Sequence, residues 1–231
     1  MNESIIFNTQ LKKALEESFK ELGFKLSLDN SITLLKQEQS HIDFIHVFTG
    51  IDKITEQYNF IVEAGRKLNI IDQYWEEYRI EPMGLRKGDF PTIIVNEMNK
   101  YIPFTQLPAE TEELIPLVTL QIREFWERIL LPMLDKYSNI KELDKFENSV
   151  IGKAKILNIE GSWFKKMIIA RLAGNPLYDQ LYLSITEMYL KAITDYPEEK
   201  PYYENNLWVA EQVNEKLKSL EPLKNQNLLN Q

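Results

Sequence analysis

The chain has 231 residues, with 35 acidic and 27 basic side chains and no cysteine. That length buries roughly 70% of the surface an unfolded chain exposes, so a core needs no staple; the missing thiols exclude disulfides, thiolate nucleophiles, iron–sulfur clusters and cysteine-ligated zinc. A net charge of −8 with no basic patch repels a nucleic-acid backbone, so no nucleic-acid partner is expected.

The opening residues, MNESIIFNTQLKKALEESF, lack the basic and then apolar run of a secretory leader, which predicts a cytoplasmic protein. Phe7, Leu11, Leu15, Phe19 and Leu22 recur at steps of three and four, the α-helical period. Asn8 is expected to cap this helix, and Gly23 to be the left-handed residue past its end. From Phe24 the period becomes two: Phe24, Leu26 and Leu28 alternate with Lys25 and Ser27, Asp29-Asn30 supplies a turn, and Ile32 and Leu34 resume. Residues 41–48 are β-prone and Gly50-Ile51-Asp52 interrupts them. Residues 57–64 alternate, with Tyr58, Phe60, Val62 and Ala64 on one face and Asn59, Ile61 and Glu63 on the other. No helical crossover separates these strands, so they are expected to form an antiparallel sheet covered by the N-terminal helix.

Residues 66–106 are less patterned. The aromatic and acidic stretch 72–78 fits a short helix, Pro82, Gly84, Gly88 and Pro91 mark a loop, and 92–95 fits a strand. From Thr111 the chain turns helical. Leu114, Leu117, Leu120, Phe125 and Ile129 supply an apolar stripe, Pro116 belongs in a first turn or at a kink, and Pro132 is expected to end the element. This stretch, 114–131, comes nearest to a membrane span, but Gln121, Arg123, Glu124, Glu127 and Arg128 interrupt it. Further helices are expected over 139–146, 161–172 (stopped by Gly174-Asn175-Pro176), 177–193 and 206–220. The expected class is α+β: a helix-plus-antiparallel-sheet unit over 1–106, a mostly helical region over 107–220 packed against it, as one continuous domain or two, and a flexible polar tail over 221–231.

His41 and His46 are the only histidines, and on one strand a separation of five puts them on opposite faces, which disfavours a shared metal. His41 and Asp43 share a face and, with Glu56 or Glu63 from a neighbouring strand, form a candidate acid–base or metal cluster, against the plainer reading of solvated or locally bonded sheet residues. Carboxylate pairs such as Glu112/Glu113, Glu124/Glu127, Asp72/Glu76 and Glu198/Glu199 are too common to indicate glycosidase chemistry. Glu124/Arg128 and Arg123/Glu127 have the spacing of helical ion pairs. No nucleophile elbow, phosphate loop, dinucleotide fingerprint, zincin motif or EF-hand loop occurs, so no cofactor or metal is expected.

Two aromatic groupings are richer. Trp163 with Lys165, Lys166 and Arg171 places basic groups beside a ring on one helix; it either receives a phosphate or an acidic partner, or is a core ring beside solvated lysines. Tyr74, Trp75 and Tyr78, together with Tyr196, Tyr202, Tyr203 and Trp208, have the residue types that bury interface area at little entropic cost, or pack elements together.

The helix leading into Leu22-Gly23-Phe24 and the strands after it, followed by the run from Leu131-Pro132-Met133 through Asp135, Tyr137 and Ile140 to Leu143, resemble a family of bacterial proteins of unknown function described as the DUF4304 domain, over roughly residues 8–150. The resemblance implies a helix-flanked antiparallel sheet and carries over no catalytic residue. Two functional readings follow. One is a non-catalytic protein-binding or accessory protein of a bacterial system. The other is a small-substrate enzyme with a carboxylate/histidine site in a cleft between sheet and helices.

Overall fold

The computed structural model describes residues 3–27, 32–51, 57–74, 78, 93–96, 107–108, 114–148 and 162–230. It is an α+β protein: an N-terminal helix packs on an antiparallel sheet, and a largely helical region follows. Two compact units are interleaved along the chain, one of Met1–Arg66 with Ile94–Asp135, the other of Lys67–Ile93 with Lys136–Gln231.

The first unit opens with α1 (Glu3–Phe19), whose Phe7, Leu11, Leu15 and Phe19 are buried as their spacing predicts. Gly23 ends it in the left-handed conformation at φ 86°, its N–H donating to the Lys20 carbonyl. Asn8 lies inside the helix and does not cap it; its Oδ1 accepts from the Thr49 hydroxyl at 2.7 Å.

Among the described residues six strands form one sheet in the order β1 (Lys25–Leu26), β2 (Ile32–Gln37), β3 (His41–Ile51), β4 (Gln57–Leu68), β5 (Ile93–Asn96), with β6 (Leu107–Pro108) also beside β4. The pairs β1–β2, β2–β3 and β4–β6 are antiparallel. Register places Ile32 opposite Val47 and Leu34 opposite Ile45. With Phe60, Val62 and Ala64 these make the buried face, on which the Phe7 and Phe60 rings lie 6.0 Å apart. Ile61, between two buried neighbours, is 57% exposed, so the period-two reading of β4 holds.

Helix α3 (Leu114–Phe125) packs on α1. Its buried face is Leu114, Val118, Ile122 and Phe125, whereas Leu117 and Leu120, expected inside, are exposed. Successive steps of three rotate about −60° each around a helix, so a 114–117–120 stripe drifts; steps of four, four and three nearly cancel. Pro132 does not end the element. A π-helical segment, Trp126–Leu130, follows α3, and the Leu131 N–H donates to the Trp126 carbonyl, five residues back. This wider turn lies immediately before the proline, and α4 (Leu131–Tyr137) carries the helix on through it. The expected ion pairs form along this helix, Arg123 Nε donating to Glu127 at 2.9 Å and Arg128 lying 3.4 Å from Glu124.

In the second unit, α2 (Asn69–Asp72) ends at the first residue of the predicted 72–78 stretch; residues 73–74 are a turn and 75–77 lie outside the described residues. α5 (Ile140–Glu147) is capped by Asn139, whose Oδ1 accepts from the Lys141 and Glu142 amides. α6 (Ser162–Ala173) ends at Gly174, left-handed at φ 70°, and the Asn175 N–H donates to the Ala170 carbonyl. α7 (Tyr178–Asp195) and α8 (Lys200–Lys218) pack together through the buried bond from the Tyr178 hydroxyl to Asn214 Oδ1 at 2.7 Å. α8 begins six residues earlier than its apolar pattern suggested, with Pro201 in its first turn.

The tail expected to fray is tied down. The Leu223 and Leu228 amides donate to the Leu172 and Ser138 carbonyls, Ile140 donates to the Gln226 carbonyl, and Leu228 is fully buried. No helix among the described residues is long and apolar enough to cross a membrane.

Candidate functional site

The core face of β3 carries His41, Asp43, Ile45 and Val47, all buried, and that of β4 carries Phe60, Val62, Ala64 and Arg66, also buried. Two apolar rows therefore end in opposite charges at one end of the sheet. Arg66 meets Asp43 with both arms of its guanidinium, Nε donating to Oδ1 at 2.6 Å and Nη2 to Oδ2 at 3.1 Å. Its Nη1 donates to Asp135 of α4 at 3.0 Å. His41 Nε2 lies 3.7 Å from Asp43 Oδ2, and its Nδ1 is hydrogen-bonded to the Ser40 hydroxyl at 3.1 Å. Burial opposes ionisation of Asp43, but the His41 ring and the Arg66 guanidinium outweigh it and hold its carboxyl below the usual range. The Arg66 pKa is raised in turn, Asp43 and then Asp135 overcoming the effect of burial.

The pairing of His41 with Asp43 thus follows strand parity, and of the plainer reading, solvated or locally bonded, the structure shows the bonded form with both side chains buried. Glu63 sits on the opposite face of β4 from Arg66 and does not join them; Glu56 lies outside the described residues. His46, on the other face of β3, is hydrogen-bonded to the Thr33 hydroxyl at 2.8 Å beside Phe44. Among the described residues no three histidine, aspartate or glutamate side chains come together as a metal-ligand set. Chemically, the cluster is a bidentate buried ion pair with a partly exposed second carboxylate. Such a pair fixes geometry, because each Asp43 oxygen already accepts a directed N–H.

Lys165 and Lys166, expected to be solvated, are instead interior groups of the second unit. Lys165 Nζ lies 3.1 Å from Asp72, itself buried at the end of α2, and Lys166 Nζ donates to the Glu147 carbonyl at 2.6 Å. Lys166 also lies 5.8 Å from the centre of the half-buried Trp163 ring. Arg171 donates to the Lys218 carbonyl. These basic groups are therefore committed to contacts within the chain. An open cavity of about 410 Å³ lies between α5 and the Gly174 turn, lined by Lys141, Lys145, Asp144, Asn148 and Asn175. Both oxygens of Asp144 are occupied, accepting from the Asn148 and Asn175 amides at 2.7–3.1 Å.

The second aromatic grouping does converge in part. Tyr78 and Trp208, far apart in sequence, meet edge to face with centroids 5.6 Å apart, and Lys216 Nζ sits 4.6 Å from the Tyr78 ring. Tyr74 is half-buried in the turn after α2, and Trp75 lies outside the described residues. At the corner between α7 and α8, Tyr203 lies 6.1 Å from Tyr196 and 5.3 Å from Tyr202. Tyr196, Tyr202 and Trp208 are 50%, 53% and 48% exposed, values that leave half of each ring facing water. Arg66 and Asp135 were not singled out from the sequence, although Arg66 continues the parity of Phe60, Val62 and Ala64. No family model, curated protein or solved structure matches the chain.

Proposed function

We propose that the chain is a non-catalytic protein-binding or accessory protein that engages its partner through the rings displayed along α8 and its lead-in. The observation that carries this reading is the half-exposure of Tyr196, Tyr202 and Trp208 on one helix and the turn before it. Tyrosine and tryptophan are the residues most enriched at binding hot spots, since a rigid ring removes a large area from water while freezing few torsions. The condition of the charged cluster supports the same reading. A general base must be within reach of a substrate proton, and Asp43 is 1% exposed, with its carboxylate held by both arms of Arg66.

The test is capture of a partner from an extract of the cells that make the chain, with the parent and a Tyr202→Ala/Trp208→Ala chain as matched baits. A partner recovered by the parent and depleted by the variant is the expected result. Equal recovery on both baits contradicts a role for this surface.

A further inference from the structure

Four rings of the second unit are each accompanied by a cation of the same chain. Lys136 lies 5.4 Å from the Tyr137 centroid, Lys166 5.8 Å from Trp163, Arg171 5.7 Å from Tyr178 and Lys216 4.6 Å from Tyr78. These separations fall within the reach of a cation–π contact. Tyr196 and Tyr202 lie against Tyr203, and no cation of the described residues sits over any of these three rings.

The corner is also acidic. Asp195, Glu198, Glu199 and Glu204 surround the three rings in sequence, against a single Lys200 whose Nζ lies 3.5 Å from Glu204. The neighbouring Glu199 carboxylate pushes the Tyr203 hydroxyl's pKa up from its ordinary value. Exposed π faces among carboxylates combine the two attractions that a guanidinium or ammonium experiences, with the ring quadrupole and with negative charge. A second copy of this chain, carrying −8, fits such a corner poorly.

Resting on the protein-binding reading above, we propose that the corner formed by Tyr196, Tyr202 and Tyr203 seats lysine or arginine side chains from an exposed basic segment of the partner protein. Arginine is the better guest, because its planar group stacks on one ring while its N–H donors reach Glu198 or Asp195.

The probe is a synthetic peptide of alternating arginine and glycine, titrated into the full chain by calorimetry and by amide NMR, with a glutamate–glycine peptide as control. Saturable binding is expected, with shifts centred on 195–204 and none from the control. A Tyr196→Leu/Tyr202→Leu/Tyr203→Leu chain keeps every charge and loses the π faces; its affinity is expected to fall about tenfold. Should circular dichroism show that variant misfolded, the half-exposed Tyr202→Leu alone is expected to lose about threefold. Undiminished binding by the leucine variants, or shifts that map elsewhere, would reduce the interaction to general attraction for net charge and overturn the proposal. Binding of tetramethylammonium without binding of the peptide would overturn it too, in favour of a small organic cation. If the peptide fails while the Tyr202→Ala/Trp208→Ala bait still loses its partner, the basic partner is wrong and the protein-binding reading stands.

Discussion

The charged end of the β3–β4 face and the aromatic corner at the start of α8 reverse the usual placement of their residues. Inside the first unit, Asp43 and Arg66 are buried and satisfied through two directed bonds. On the surface of the second, Tyr196 and Tyr202 each lay their ring against Tyr203 and remain about half exposed to solvent. Titratable groups in a sheet invite a catalytic reading, yet here the conspicuous charges have already found each other. The rings of the corner still have surface to offer. Satisfaction of a group, more than its chemical type, separates a structural cluster from a recognition surface.

The largest effect expected from breaking this contrast is in the interior. Arg66→Met leaves Asp43 buried without its counter-ion and should lower unfolding stability by ~3–5 kcal/mol in a urea titration, whereas Arg66→Met with Asp43→Leu should recover much of that loss. Acid should act on the same pair. The folded-state pKa of Asp43 is below its ordinary value of 3.8, so the pair's contribution is fully present above that value and is lost as pH falls through the lower folded pKa. Unfolding midpoints followed from neutral to acidic pH should therefore drop less steeply in Asp43→Asn than in the parent.

An intermediate effect is expected at Gly174. Its φ of 70° disfavours an L side chain, and an added Cβ would lie 3.1 Å from Pro222 Cγ, so Gly174→Ala should cost ~1–2 kcal/mol and loosen the Leu223–Leu172 bond. Hydrogen exchange at the Leu223 amide reads that loosening. Smallest of all, Tyr202→Ala should change stability by no more than ~0.5 kcal/mol, since its ring is largely in water.

Much of the first unit was legible from periodicity. The four buried positions of α1, the left-handed Gly23 and the two faces of β4 all follow from sequence spacing. Arg66 was legible too, had the alternation been followed two residues beyond Ala64: an arginine on a core-facing row demands an acid on the next strand, and Asp43 holds that position. Less could be read where one segment's fate depends on a distant one. Nothing local to Lys165 names Asp72 as its partner; only the near absence of a polar face on α6, buried from Phe164 through Ala170, hints that its lysines go inside. The passage of helix through Pro132 depends on a π turn, which leaves no mark on hydrophobic spacing. Leu223 and Leu228 in a polar tail were anchors that looked like scattered residues. The aromatic corner is visible as composition, whereas the absence of a cation of the described residues over its rings depends on tertiary packing.

The most direct test of the contrast is partner affinity measured side by side for two surface variants, Asp135→Asn at the charged cluster and Tyr202→Ala/Trp208→Ala on α8. Asp135 is 55% exposed, so its loss should disturb stability by under ~1 kcal/mol. The ring variant is expected to bind the captured partner about tenfold or more weakly than the parent, with the Asp135→Asn chain indistinguishable from it. The opposite outcome, affinity lost with Asp135→Asn and kept without the rings, would contradict the account and return the function to the charged end of the sheet.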